Sequence, residues 1–126
     1  MGTTFVNVPS DAILRFLESK GFRRREGMRI RELVYERPHA GDPNFIVLVY
    51  TSVRGGSQRA RGKGRDAIRV CAIRILPSGH IRGVAKLPRV HRTGSVDAVL
   101  ERVLDRMREA YQCCSNIIVQ ERLAGG

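Results

Sequence analysis

The sequence predicts a single α+β domain. An antiparallel sheet of four or five strands would carry an N-terminal helix and a long C-terminal helix on one face. With 126 residues, 42% of them hydrophobic, the chain can build one core of its own. Apolar residues recur at helical spacing near both ends, and four segments between them are typical of strands. The predicted order is therefore α-β-β-β-β-α, and the short connections favour antiparallel pairing.

The first predicted helix covers Pro9–Lys20. Its opening residues are types that begin helices, although the pattern does not decide which of them is the cap. An apolar face is formed by Ile13, Phe16 and Leu17. Gly21 is expected to end the helix in a left-handed conformation.

Four strands are predicted after a turn that follows the arginine run 23–25. They cover Met28–Arg37, Asn44–Val53, Asp66–Leu76 and His80–Leu87. The second is almost continuously apolar, which predicts a central position in the sheet. Alternation places Arg69 and Arg74 of the third strand on opposite faces, and Arg82 and Lys86 of the fourth on the same face.

The second predicted helix begins after Ser95, a good N-cap residue, and its apolar repeat reaches Gln112. Beyond it, the segment Ile117–Val119 fits either a short fifth strand or a continuation of the helix. Residues 123–126 are expected to form a frayed tail. No internal repeat or second domain is indicated, so residues 1–126 are interpreted as one domain.

Positive charge is concentrated in the middle of the chain. Between Arg54 and Arg92 there are eleven Arg and Lys residues and one acid, Asp66, so this stretch holds ten of the eleven net positive charges. Solubility does not require charge of one sign in one place. A segment that repels itself in this way indicates a polyanionic partner, and nucleic acid is the commonest one.

The candidate phosphate-binding residues fall into three groups. A long glycine-rich connection, residues 54–65, is expected to be flexible and to grip phosphates, and its cations are Arg54, Arg59, Arg61, Lys63 and Arg65. Cations on the sheet are expected to continue the track, namely Arg69, Arg82 and Lys86, followed by Arg89 and Arg92. The start of the second helix offers an anion site through Arg92, Thr93 and Ser95, unless Ser95 serves only as the cap.

Single-stranded DNA or RNA is favoured over duplex. The second predicted helix carries acids on its polar side, which would repel a DNA groove: Asp97, Glu101, Asp105 and Glu109. Aromatic residues on the strands, Tyr35, Phe45 and Tyr50, could stack on bases, although such residues are more often core. The chain has no Trp, so phosphate contacts should dominate, with weak sequence preference. In topology alone, residues 28–112 are similar to single-strand DNA-binding coactivator and plant Whirly modules, and this resemblance also implies single strands.

Other functions receive less support from the sequence. A metal-dependent nuclease would need Asp66 together with Glu32 or Glu36, a sparse acidic set. A module that docks on an acidic protein or a ribonucleoprotein remains an alternative, and exposed strand edges would allow a homodimer. No enzymatic activity and no cofactor are expected. No apolar run reaches the ~18 residues of a membrane span, and the cysteines fit reduced thiols in a cytoplasmic protein.

Overall fold

The computed structural model describes residues 8–26, 32–52 and 67–125, and it confirms the predicted α+β fold. The elements are α1 (Ser10–Ser19), β1 (Arg23–Arg24), β2 (Glu32–Pro38), β3 (Phe45–Ser52), β4 (Ala67–Ile75), β5 (Ile81–Lys86), β6 (Val90–His91) and α2 (Val96–Gly125). The glycine-rich connection 54–65, Asp66 and residues 28–31 lie outside the described residues. Neither described helix has the length and apolarity needed to cross a membrane.

Helix α1 ends as its sequence predicts. Gly21 has a φ of 84°, a conformation that glycine adopts without a steric penalty. Its N–H donates to the carbonyl of Glu18, and the N–H of Phe22 donates to the carbonyl of Leu17. These two bonds form the Schellman motif, which turns Phe22 back into the core, where it is buried.

The sheet is antiparallel throughout, with the order β1-β2-β3-β4-β5, and β6 pairs with β4 beyond the end of β5. Strand β3 is central, as its apolar sequence predicts. The two-residue strands β1 and β6 are not predicted by the sequence. Both are too short for a period-two pattern, and their arginine and histidine residues do not favour strands.

Helix α2 has 30 residues and is longer than its apolar repeat predicts. No proline interrupts it, and Cys114 and Ile118 extend its buried stripe beyond Gln112. The segment Ile117–Val119 is therefore helical and not a fifth strand. Residues 123–125, where the sequence predicts a frayed tail, form the last turn of α2.

The sheet separates two apolar clusters. The larger one joins the sheet to both helices, so α1 and α2 lie on the same face. We call this the helix face. The smaller cluster consists only of strand residues: Val34, Ile46 and Leu48 are buried, and Tyr50, Cys71, Ile73 and Ile75 pack against them. We call the side of the sheet that carries this second cluster the strand face.

A β-bulge in β5 changes which of its side chains share a face. The pairing with β4 shifts register: Ala72 lies opposite Ala85, whereas Ile73 lies opposite Gly83, so Val84 is the extra residue. As a result Arg82 lies opposite Arg74 on the helix face, while Lys86 lies opposite Cys71 on the strand face. The prediction that Arg82 and Lys86 share a face is therefore wrong.

Arg92 has a structural role that its sequence context does not reveal. Only 1% of the residue is exposed, and its guanidinium donates to the Val8 carbonyl at 2.8 Å and to the Ser10 hydroxyl at 2.9 Å. The Val8 N–H in turn donates to the Arg92 carbonyl at 2.7 Å. Arg92 thus fastens the start of α1 to the segment before α2. Because it is enclosed by its own chain, its assignment as a phosphate contact is corrected.

Candidate nucleic-acid interface

A cleft of about 410 Å³ opens between β4 and β5 on the strand face. The side chains of Cys71 and Ile73 lie at its floor, where the second apolar cluster reaches the surface. Gly83 lies opposite Ile73 and contributes no side chain, and the bulge at Val84 follows it directly. The cleft therefore exists because a glycine and a bulge leave space on a surface that is otherwise filled with side chains.

One wall of the cleft is a stacked pair of side chains from neighbouring strands. Arg69 on β4 lies directly opposite Tyr50 on β3, and its guanidinium carbon is 4.8 Å from the centre of the tyrosine ring. Both side chains are half-buried. A guanidinium over an aromatic ring is attracted by the negative face of the ring, and this contact helps to hold the Arg69 side chain at the wall of the cleft.

Two further cations line the cleft, and both are exposed. Lys86 lies opposite Cys71, and Arg89 follows β5 shortly before β6. Burial raises the pKa of the Cys71 thiol, and the positive charges of Arg69 and Lys86 act in the opposite direction. Arg69 and Lys86 are therefore near enough to Cys71 to influence the pKa of its thiol at the floor of the cleft. None of the described residues that line the cleft is acidic.

The ends of the basic connection meet the sheet close to these cations. Tyr50 is paired with Arg69, so Ser52 at the end of β3 and Ala67 at the start of β4 lie at this end of the sheet. The predicted loop contacts Arg54, Arg59, Arg61, Lys63 and Arg65 all belong to the connection between these two residues and lie outside the described residues.

The other sheet cations belong to the helix face. Arg74 donates hydrogen bonds from its two terminal guanidinium nitrogens to the Glu121 carboxylate on α2. This hydrogen bonding raises the pKa of Arg74. Arg82 is exposed beside it. The sequence correctly predicts that Arg69 and Arg74 lie on opposite faces, but Arg82 does not join Arg69 at the cleft.

The predicted anion site before α2 is largely used by the protein itself. The Ser95 hydroxyl accepts a hydrogen bond from the N–H of Ala98 at 3.2 Å, so it caps the helix. Arg92 is buried as described above, and Thr93 is half-buried between them. We therefore assign Arg92 and Ser95 to the structure of this corner and not to ligand contact.

Of the three predicted aromatic platforms, only Tyr50 lies on the strand face. Tyr35 is buried on the helix face, with its hydroxyl 3.5 Å from Glu18, and burial raises the pKa of Tyr35. Phe45 is completely buried beneath Arg74. Both belong to the core. Tyr50 reaches the cleft, although Arg69 covers one side of its ring.

The acids considered for a nuclease are only partly described. The Glu36 carboxylate is bound by Arg25 at 2.9 Å. The Glu32 side chain and Asp66 lie outside the described residues. Over the described ranges, no group of three His, Cys, Asp or Glu side chains is placed to hold a metal ion.

A serine and a histidine do meet on the helix face, but in the wrong arrangement for a nucleophile and its base. His39 Nδ1 accepts a hydrogen bond from the N–H of Gly41 at 2.9 Å. In the neutral ring Nε2 therefore carries the proton, and it lies 2.8 Å from the Ser115 hydroxyl. A base must accept the serine proton, whereas this nitrogen donates one. The pair fastens the β2–β3 turn to α2.

Comparison with known proteins adds no information on function. No protein-family model matches the chain, and neither a curated protein nor a solved structure shows detectable similarity to it. The topological likeness to coactivator and Whirly modules thus carries no further argument. A functional proposal therefore depends on the residues of the cleft alone.

The floor of the cleft is not predictable from the sequence pattern. Cys71 and Ile73 look like ordinary alternating strand residues, and nothing in their pattern marks a surface depression. One signal was present: a glycine within a strand often indicates a bulge, and Gly83 is such a glycine. A bulge next to Gly83 would place Arg82 and Lys86 on different faces of the sheet.

Proposed function

We propose that this protein binds single-stranded DNA or RNA, mainly through backbone phosphates, on the strand face of its sheet. The observation that carries the proposal is the convergence of Arg69, Lys86 and Arg89 on one cleft whose described lining contains no acid. A described lining that holds three cations and no acid favours a polyanionic ligand. The described ends of β3 and β4, Ser52 and Ala67, lie at the same end of the sheet as Arg69, and the five cations of the connection 54–65 lie between them in the sequence.

Single strands fit this surface better than a duplex. Both helices pack on the opposite face, so neither reaches the cleft to enter a groove. Helix α2 also exposes Glu101 and Asp105 on its outer side. A flexible strand can follow a short cationic track and present its bases to an apolar floor.

Fluorescence anisotropy with labelled single- and double-stranded DNA and RNA, at two salt concentrations, tests the proposal. We expect single strands to bind more tightly than duplexes, with affinity falling as salt rises. An interaction module for an acidic protein would instead bind an acidic peptide and leave all four oligonucleotides free. That result would refute nucleic-acid binding.

Substitutions on β5 provide a matched pair. Lys86→Glu and Arg82→Glu make the same change in net charge on the same strand but on opposite faces. We expect Lys86→Glu to weaken oligonucleotide binding about 10-fold, since it replaces a phosphate contact by a repulsive charge, and Arg82→Glu to weaken it less than about 3-fold. Equal losses would show that the strand face is not the binding surface.

A further inference from the structure

The cleft has two chemically different parts. Cys71 and Ile73 form an apolar floor with open space above Gly83, where an added Cβ would meet nothing within 4 Å. Lys86 and Arg89 supply positive charge at the side. A volume of about 410 Å³ lies within the range of small-molecule pockets. Phosphates alone need no apolar floor, so this space calls for a ligand that also has an uncharged body.

The wall of the cleft indicates the shape of that body. The guanidinium of Arg69 lies over the ring of Tyr50, 4.8 Å from its centre, so this wall consists of two planar, polarisable groups. Guanidinium planes stack readily on flat aromatic rings. An aliphatic chain would gain nothing from such a wall. A nucleobase offers a flat ring that can lie against the wall and over the floor. The phosphates on either side of its nucleotide are then close enough to reach the flanking cations.

We propose that the cleft is a subsite for one nucleobase of the bound strand. The base lies over Cys71, Ile73 and Gly83 beside the Arg69–Tyr50 pair, and the adjoining phosphates meet Lys86 and Arg89. This inference rests on the proposed nucleic-acid binding and adds a specific contact to it. The bulge at Val84 then has a function, because it opens the space that the base occupies.

Filling the cleft without changing its charge tests the subsite. Gly83→Leu adds an apolar side chain where the structure has room, and Gly83→Ala is the control that adds only a methyl group. Each protein is titrated with a homothymidine strand and with an abasic strand of equal length and charge. We expect the wild type and Gly83→Ala to prefer the thymidine strand at least about 5-fold, and Gly83→Leu to lose this preference while keeping its affinity for the abasic strand.

A second measurement does not depend on any substitution. Alkylation of the two half-buried cysteines is followed by mass spectrometry: Cys71 lies in the cleft, whereas Cys113 lies on α2 and serves as the internal control. The thymidine strand should slow alkylation of Cys71 more than the abasic strand does, and neither should affect Cys113.

The outcomes separate the two proposals. If the wild type binds both strands equally, with the same salt dependence and the same protection of Cys71, the base subsite is refuted while phosphate binding stands. If neither strand binds, the proposed function fails together with the subsite. A thymidine preference that survives in Gly83→Leu would place the base contact elsewhere and refute the subsite.

Discussion

Replacement of Arg69, Lys86 and Arg89 by serine in one protein is expected to weaken binding of a single-stranded oligonucleotide roughly 50-fold at about 0.15 M salt. Each phosphate contact on a single strand contributes about 0.7 to the slope of log affinity against log salt, so three lost contacts remove about 2 from the slope. Counterion release contributes little at about 1 M salt, so the affinities of the two proteins should be similar there. A slope that is smaller by about 2 then gives the variant a roughly 50-fold lower affinity at about 0.15 M salt. Anisotropy titrations at several salt concentrations measure both quantities.

The control for this variant removes the same charge elsewhere. Arg15 on α1 and Arg102 and Arg108 on α2 are exposed and belong to the helices of the opposite face. Their replacement by serine should change affinity less than about 3-fold, through long-range electrostatics only. Equal losses in the two triple variants would mean that net charge alone attracts the strand and that the cleft has no special role.

Arg92→Met is expected to lower the free energy of unfolding by about 3 kcal/mol. Methionine has a similar length but cannot donate a hydrogen bond, so the buried Val8 carbonyl and Ser10 hydroxyl lose the donor that reaches them at 2.8 and 2.9 Å. A hydrogen bond from a charged donor contributes about 1.5–3 kcal/mol. Urea denaturation of the two proteins measures the difference.

Arg102→Met is the matched control, because Arg102 is exposed on α2 and its replacement should change stability by less than about 0.5 kcal/mol. The sequence assigned Arg92 to the phosphate track. If Arg92→Met were as stable as the wild type but bound oligonucleotides more weakly, that assignment would be correct and the structural role would be wrong.

Periodicity was sufficient to predict most of the fold. The helical repeat that starts at Val96 and the β-rich segments around Phe45–Ser52 and Ala67–Ile75 carry their own signals, because each buries a continuous face. The sequence correctly gave β3 a central position. Helix α2 is longer than predicted because its buried stripe continues at the same spacing of three or four residues through Cys114 and Ile118.

The candidate site was less predictable, for two physical reasons. Alternate residues of a strand share a face only while the pairing register is regular. The single extra residue Val84 interrupts this alternation, so Arg82 and Lys86 lie on opposite faces. Burial of an arginine depends on distant partners, and nothing near Arg92 in the sequence points to Val8 or Ser10. The prediction that Arg69 and Arg74 lie on opposite faces is confirmed, because β4 pairs with β3 in regular register from Arg69 to Arg74.

The dependence of single-strand affinity on salt tests the central claim most directly. If the strand face and the connection 54–65 together hold about five phosphates, a plot of log affinity against log salt concentration should be linear with a slope near −3.5. A slope near zero, at any affinity, would mean that binding releases no counterions and that the concentrated positive charge does not hold phosphates.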